Sequence, residues 1–283
     1  MTDRSAFLQG DRPLVMGVLN VTPDSFSDGG RFLSPAAARE QARRMIAEGA
    51  DIIDVGGEST RPGAAPVGVE EELDRVVPVI EAIRAESDVP VSVDTSKPEV
   101  MTAACAAGAD MINDVRALRE PGALETAARL GRPVCLMHMR GEPRTMQAAP
   151  RYDDVVAEVE DFLRVRVAAA EAAGLPRRHL VIDPGFGFGK TLEHNLLLFQ
   201  ALPRLRRMGL AVLVGVSRKS MIGTILDQRP PPGRLHGSVA LAGLAVWLGA
   251  RIVRVHDVGA TRDAVRVVQA VREAGAGEGG MHT

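Results

Sequence analysis

The residues of this chain best able to do chemistry stand at the ends of short apolar runs. Asn20 closes Leu14–Leu19, Asp94 closes Val91–Val93, Asn113 follows Met111-Ile112, and Asp183 follows Leu180–Ile182. Ser217 and Lys219 follow Ala211–Val216, and Arg254 and His256 follow Ile252-Val253. A carboxylate at the end of a buried run is costly unless hydrogen bonds satisfy it. Asp183 and Asn113 suit the edge of a flat nitrogen heterocycle, because a carboxylate facing adjacent N–H donors binds both at once. Asp94 offers a second acceptor, or holds Lys219 or Arg254 in place. Lys219 is a compact cation for a ring carbonyl or ring nitrogen. Arg254 and His256, two apart on an extended segment, project to one side and together suit a phosphate or diphosphate. The alternative for Arg254 is a salt bridge to a neighbouring carboxylate, and for His256 a tethered structural role. His138, beside Met137, is expected to be structural. Taken singly, a strand-end Asp or Asn is more often a helix cap than a functional group. Their shared position is what argues for function.

The stretch Val181–Lys190 carries the sharpest local signal. A carboxylate is followed by Pro184, which stops ladder pairing, and by Gly185, Gly187 and Gly189, which let the backbone turn sharply near a ligand. A Walker loop would need glycine where Pro184 stands, and a dinucleotide fingerprint would need its third glycine one place beyond Gly189. The six histidines are dispersed and Cys105 and Cys135 lie far apart, so no zinc-ligand spacing occurs. A hard cation such as Mg²⁺, bridging a diphosphate and one protein oxygen, is compatible with these residues. No Gly-x-Ser-x-Gly elbow is present.

The elements that must position these groups alternate. Leu14–Leu19 reads as a fully buried strand, and Ser34-Pro35 as a cap and first residue of a helix running to about Glu48. Ile52–Val55 is the next strand. Glu70, Glu71 and Glu72 suit a helix N-terminus, and Leu73, Val76, Val77, Ile80 and Ile83 form its apolar face around Pro78. Val91–Val93 precedes a helix capped by Thr95–Pro98. Met111-Ile112, Val134–Met137, Leu180–Ile182, Ala211–Val216 and Ile252-Val253 complete the strands. A long helix spans Asp153 to Ala173, with Val155, Val159, Phe162 and Leu163 on one side. Ser238 is read as the cap of a helix ending near Gly249, and Thr261 as the cap of the last. Strands alternating with helices imply a parallel sheet, and eight such units imply an α/β chain closed as a (β/α)8 barrel, the TIM-barrel architecture, in a single domain over 1–274. An open doubly wound sheet is the alternative. Residues 275–283 read as a mobile Gly-rich tail. In a barrel all the polar strand ends named above meet at one mouth.

The totals narrow the partners. A formal net charge of -2 over 283 residues argues against nucleic acid or an acidic membrane surface. Two cysteines in apolar surroundings fit buried thiols in a reducing cytoplasm. Met1–Gly10 has no apolar h-region, and no run is long enough to span a bilayer, so a cytoplasmic chain without a signal peptide is expected.

The motifs, taken in order, resemble those of the dihydropteroate synthases. The first signature is similar to Met16–Gly30 and the second to Asp54–Gly63. Val93–Thr95, Ile112–Asp114, Met137-His138, Asp183–Lys190, Ser217–Ser220 and Arg254–Val258 continue the match over nearly the whole chain. The resemblance implies a folate-pathway transferase that joins 6-hydroxymethyl-7,8-dihydropterin diphosphate to p-aminobenzoate. It implies a pterin against Asp94, Asn113, Asp183 and Lys219, with Asn20 coordinating Mg²⁺ on the diphosphate and Arg254 and His256 as its anion partners. It implies that Thr60, Arg61 and Pro62 close over p-aminobenzoate, whose ring packs on Phe188 and whose carboxylate meets Ser217. It also implies small-molecule partners, a homodimer and competition by sulfonamides. A folate-to-corrinoid methyltransferase and a non-catalytic ligand-binding barrel are the rival readings. The first would not need Thr60-Arg61-Pro62 or a diphosphate pair, both of which are present, and the second would be suggested by loss of Lys219, Arg254 or His256, none of which is lost.

Overall fold

The computed structural model describes residues 5–22, 35–59, 63–142 and 145–278. Strands and helices alternate along it. β1 (Leu14–Asn20) leads to α1 (Pro35–Ala47), β2 (Ile52–Gly56) to α2 (Val69–Arg84), β3 (Val91–Asp94) to α3 (Pro98–Ala107), and β4 (Met111–Asp114) to α4 (Ala123–Leu130). β5 (Val134–Met137) leads to α5 (Val155–Ala172), and β6 (Leu180–Asp183) to α6 (Leu192–Gln200) and α7 (Leu202–Arg206). β7 (Ala211–Val214) leads to α8 (Ser220–Ile225) and α9 (Leu235–Trp247), and β8 (Ile252–Val255) to α10 (Val258–Glu278). All strands are parallel and β1 pairs with both β2 and β8, so the sheet closes as the predicted barrel rather than staying open.

Two apolar layers sandwich the sheet. The outward residues of the strands pack under the helices in one continuous core that includes Val15, Ile53, Val93, Ile112, Leu136, Ile182 and Val253. The inward residues Leu14, Met16, Ile52, Met111, Cys135, Val181, Leu213 and Ile252 form a second cluster that plugs the lower barrel. Both cysteines are buried free thiols. Side chains alternate along a strand, so the inward position two residues beyond the plug is the next layer up. There the residue types change: Ile52 is followed by Asp54, Met111 by Asn113, Val181 by Asp183 and Ile252 by Arg254. The pairing aligns Asn20 with Gly56, Gly56 with Asp94, and Asp94 with Asn113, so a row of polar strand ends runs around the rim.

Local expectations fail where capping is concerned. Thr95 and Ser96 do not cap α3. The Thr95 hydroxyl accepts from the Lys97 amide at 3.2 Å, and Ser96 donates to Asp114. Ser238 lies inside α9, where it donates to the Arg234 carbonyl at 2.7 Å and accepts from the Arg218 amide at 2.9 Å. Thr261 is likewise inside α10, which starts at Val258. Competition from tertiary partners explains these misses, because a hydroxyl bonds a nearby carboxylate or carbonyl as readily as a helix N–H. β7 stops at Val214, two residues short of the predicted end. On α2 Leu73 and Val77 pack half-buried against the core as expected, and Val79 and Glu72 join Val76, Ile80 and Ile83 as fully buried. α10 continues to Glu278, past the predicted start of the tail at Gly275. The remaining tail residues, the Ser34 cap, and Thr60, Arg61 and Pro62 lie outside the described residues.

Candidate active site

At the centre of the mouth stands Arg254 from β8. Its Nε donates to Asp54 Oδ2 at 2.6 Å and its Nη2 to Asp94 Oδ2 at 2.7 Å. The same Asp54 oxygen accepts from Asn113 Nδ2 at 3.2 Å. Asp54 is wholly buried, and its other oxygen, Oδ1, has no hydrogen-bond partner among the described residues. Burial drives Asp94 up to about 7; Arg254 opposes that rise, while the charges of Asp54, Glu72 and Asp114 add to it. Burial by itself would lower Arg254, but the Asp54 and Asp94 carboxylates outweigh it and hold the guanidinium above its ordinary value. Of the contacts open to Asp94 in the sequence, the one with Arg254 is present.

The other wall is built by the loop after β6. Gly185 and Gly189 have φ of +69° and +63°, and a Cβ on either would lie 1.8 Å from the His138 carbonyl oxygen or 2.2 Å from that of Arg140. Only glycine allows both the left-handed backbone and this approach. Asp183 accepts from the Gly185 amide at 2.7 Å, and burial raises it despite the opposing charges of Lys219, Lys190 and Arg254. Lys219 donates to the Phe186 carbonyl and sits 4.5 Å above the Phe188 ring centre. Burial lowers its ammonium to about 8, against the pull of Asp183. Lys190 is also buried. Its Nζ reaches the carbonyls of Gly185 at 2.9 Å and Phe188 at 3.1 Å, and His138 Nδ1 at 2.9 Å. Burial holds Lys190 well below its ordinary value and His138 low as well, so the imidazole is neutral. His138 packs edge-on against Phe162 at 4.9 Å, the structural role expected of it.

Two further features frame the mouth. His256 donates its amide to Ser217 Oγ at 3.2 Å and its Nδ1 lies 3.0 Å from the same oxygen, which joins the ends of β7 and β8. Phe188 packs beside Val115, Met137, Met139 and Met146, an apolar shelf next to the polar row. The arrangement thus offers carboxylate and amide acceptors, a buried ammonium, a guanidinium and an apolar shelf at one barrel mouth. Groups of these types can take a flat heterocycle with several N–H donors and an attached anion.

A family profile described as "pterin binding enzyme" matches residues 16–256. The dihydropteroate synthase of Escherichia coli (strain K12) is 57% identical over 262 residues, covering 93% of each chain. The chain belongs to the pterin-binding enzymes, among the dihydropteroate synthases. Yersinia pestis dihydropteroate synthase, solved as a sulfonamide drug complex, superposes with a TM-score of 0.90 at 54% identity, covering 93% of this chain and 95% of that one. The Xanthomonas albilineans dihydropteroate synthase in complex with 7,8-dihydropteroate does so with a TM-score of 0.84 at 55% identity, covering 93% and 94%. Like those dihydropteroate synthases, the chain is a transferase of folate biosynthesis. Among the described residues, no helix is long and apolar enough to cross a membrane.

The predicted site residues divide into groups. Asp94, Asp183, Lys219 and Arg254 are linked by direct bonds or mutual charge, and Asn113 joins them through Asp54. Asn20 reaches the same rim, where its Oδ1 would lie 3.6 Å from a Cβ on Gly56. Arg254 and His256 do not share one set of partners: Arg254 turns to the inner carboxylates and His256 to Ser217. Sequence reasoning missed Asp54, which it read as part of a plain strand. The available signal was a charge inside an otherwise apolar run. It also missed Lys190, and it missed Lys97, which pairs with Glu58 and with the buried Glu72 beside β3. Glu72 had been read only as a helix N-terminal charge.

Proposed function

We propose that this mouth binds 6-hydroxymethyl-7,8-dihydropterin diphosphate ring-first and condenses it with p-aminobenzoate to 7,8-dihydropteroate and diphosphate. The observation that supports the reading is that Asn113, Asp54, Arg254 and Asp94 form one bonded chain at the barrel mouth, where Asp183 and Lys219 also stand close enough to feel each other's charge. Asp183 and Asn113 would take the N–H edge of the pterin, and Lys219 its carbonyl or ring nitrogen. Arg254 has donors left after its two ion pairs, and these, with His256, would serve the diphosphate. Phe188 would pack the p-aminobenzoate ring, with Ser217 near its carboxylate and Thr60, Arg61 and Pro62 closing over it.

Mg²⁺ fits the donor set. Among the described residues no cluster of three or more His, Cys, Asp or Glu makes a metal cage. A hard ion carried on a diphosphate needs only a hard protein oxygen, and Asn20 offers one at the rim. When bound, the ion would spread the negative charge of the leaving diphosphate.

We favour a dissociative route. The C–O bond to diphosphate breaks first, leaving a cation conjugated with the electron-rich pterin; the aniline nitrogen then attacks it, and the resulting N–H⁺ gives its proton to the released diphosphate or to water. Arg254 and His256 stabilise the departing charge. Such a route needs no strong base, in keeping with a neutral His138 turned to Lys190. Positional isotope exchange within the diphosphate, without p-aminobenzoate, should be detectable; its absence together with no trapped cation counts against the route. The whole reading is tested by diphosphate release that depends on p-aminobenzoate, and release insensitive to it would overturn the reading.

We further propose a homodimer. Exposed Leu244 and Trp247 on α9 and Val267 and Val271 on the adjoining α10 give it an apolar face. Trp247→Glu should shift sedimentation from dimer to monomer. Buried thiols Cys105 and Cys135 suit a reducing cytoplasm.

A further inference from the structure

Resting on the reading above, we infer that Asp54 is a positioning residue of the reaction: a single carboxylate oxygen fixes both the Asn113 amide that meets the heterocycle and the Arg254 guanidinium that serves the diphosphate. The geometry is specific. Oδ2 accepts from Arg254 Nε at 2.6 Å and from Asn113 Nδ2 at 3.2 Å. A carboxylate can only accept, so it decides which end of the Asn113 amide turns inward. The nitrogen faces Asp54, which leaves the carbonyl oxygen for the N–H edge of a ligand. On the guanidinium, Asp54 occupies Nε while Asp94 occupies Nη2, which leaves Nη1 as the edge for an anion.

The cost of Asp54 supports a role beyond stability. It is wholly buried, and Oδ1 has no hydrogen-bond partner among the described residues. A buried carboxylate oxygen without a hydrogen bond carries a desolvation cost that the Arg254 pairing only partly offsets. Retaining a half-satisfied carboxylate makes sense if it sets the two groups it touches. Asp54 thereby couples ring recognition to diphosphate recognition through one buried group, although no part of it need touch the substrate.

The test uses the full-length enzyme, with initial rates of diphosphate release measured while each substrate is varied. Asp54→Asn keeps the shape and removes the charge. It should raise KM for dihydropterin diphosphate at least tenfold and leave KM for p-aminobenzoate within about twofold. In a cycle with Asn113→Ala, the losses in kcat/KM for the pterin substrate should fail to multiply, because both changes break one link. An unchanged pterin KM, multiplicative losses, or an equal rise of both KM values with a fallen melting temperature would each overturn the inference. Should Asp54→Asn not fold, Asn113→Asp reads the same contact from the other side. Two carboxylates would then face each other, so Asn113→Asp should be at least tenfold worse than Asn113→Ala; equal or milder loss overturns the inference. Wild-type turnover that does not depend on p-aminobenzoate would instead refute the reaction, and calorimetric binding of dihydropterin diphosphate to the same variants still decides the role of Asp54.

Discussion

The lower plug of the barrel and its upper mouth are built from the same strands, two residues apart. Ile52, Met111, Val181 and Ile252 make one layer; Asp54, Asn113, Asp183 and Arg254 make the next. The plug needs only volume and apolar surface, so its members act independently and interchangeably within limits of packing. The mouth needs partners. Every charge there is buried against another charge, and each has its proton affinity moved or its neighbours fixed by them. The plug supplies stability and a rigid floor, while the mouth accepts a desolvation cost for groups that are poised to bind.

Variants that separate the layers probe this contrast. The largest effect is expected for Arg254→Ala, which leaves Asp54 and Asp94 buried without a counter-charge. Breaking a buried pair from one side costs about 3–5 kcal/mol, so the protein should melt much earlier and turnover should vanish. An Arg254→Ala protein with full activity would show that the guanidinium has no part in the reaction. Next is Lys219→Met, expected to cut kcat on the order of 10²–10³-fold, as for loss of one charge-stabilising donor. Its melting temperature should hold or rise, because burial already disfavours the ammonium. Met111→Ala in the plug should do the opposite. It should lose about 2–5 kcal/mol of stability by chemical denaturation, with kcat and both KM values unchanged at temperatures where it is folded. A large kcat change there would mean the floor and the mouth are coupled.

The smallest effects are in pH. Asp94 gains its charge as pH rises through about 7, and Lys219 loses its charge as pH rises through about 8. If both must be charged, kcat/KM for the pterin substrate should form a narrow bell, falling below about 7 and above about 8. Stability should respond to Lys219 with the opposite sign on the alkaline side. The unfolded chain holds the lysine proton to higher pH than the native state does, so this group's penalty eases as pH climbs from about 8 towards 10.5. A flat kcat/KM profile across that range would show that neither group's charge matters to binding.

Much of the mouth was legible in the sequence because strands of a closed parallel barrel end on one side, and polar residues at those ends have few structural excuses. Asn20, Asp94, Asn113, Asp183 and Lys219 could be found that way. Asp54 could not, since it lies within β2 and only its charge set it apart from Ile52, Ile53 and Val55. The hydroxyl caps were misread for a related reason: Ser96 and Ser238 found partners from other elements that local pattern cannot reveal.

The order of strands and helices, the glycine-rich turn after β6 and the chemical character of the mouth were determined by the sequence itself. They follow from local periodicity, from backbone angles open only to glycine, and from the cost of leaving a polar group in an apolar run. Which charge answers which was decided by the tertiary structure alone. Arg254 meets Asp54 from 200 residues away because closure of the barrel sets β8 beside β1 and one strand from β2. Such a pairing depends on register around the whole ring, which no local stretch of chain contains.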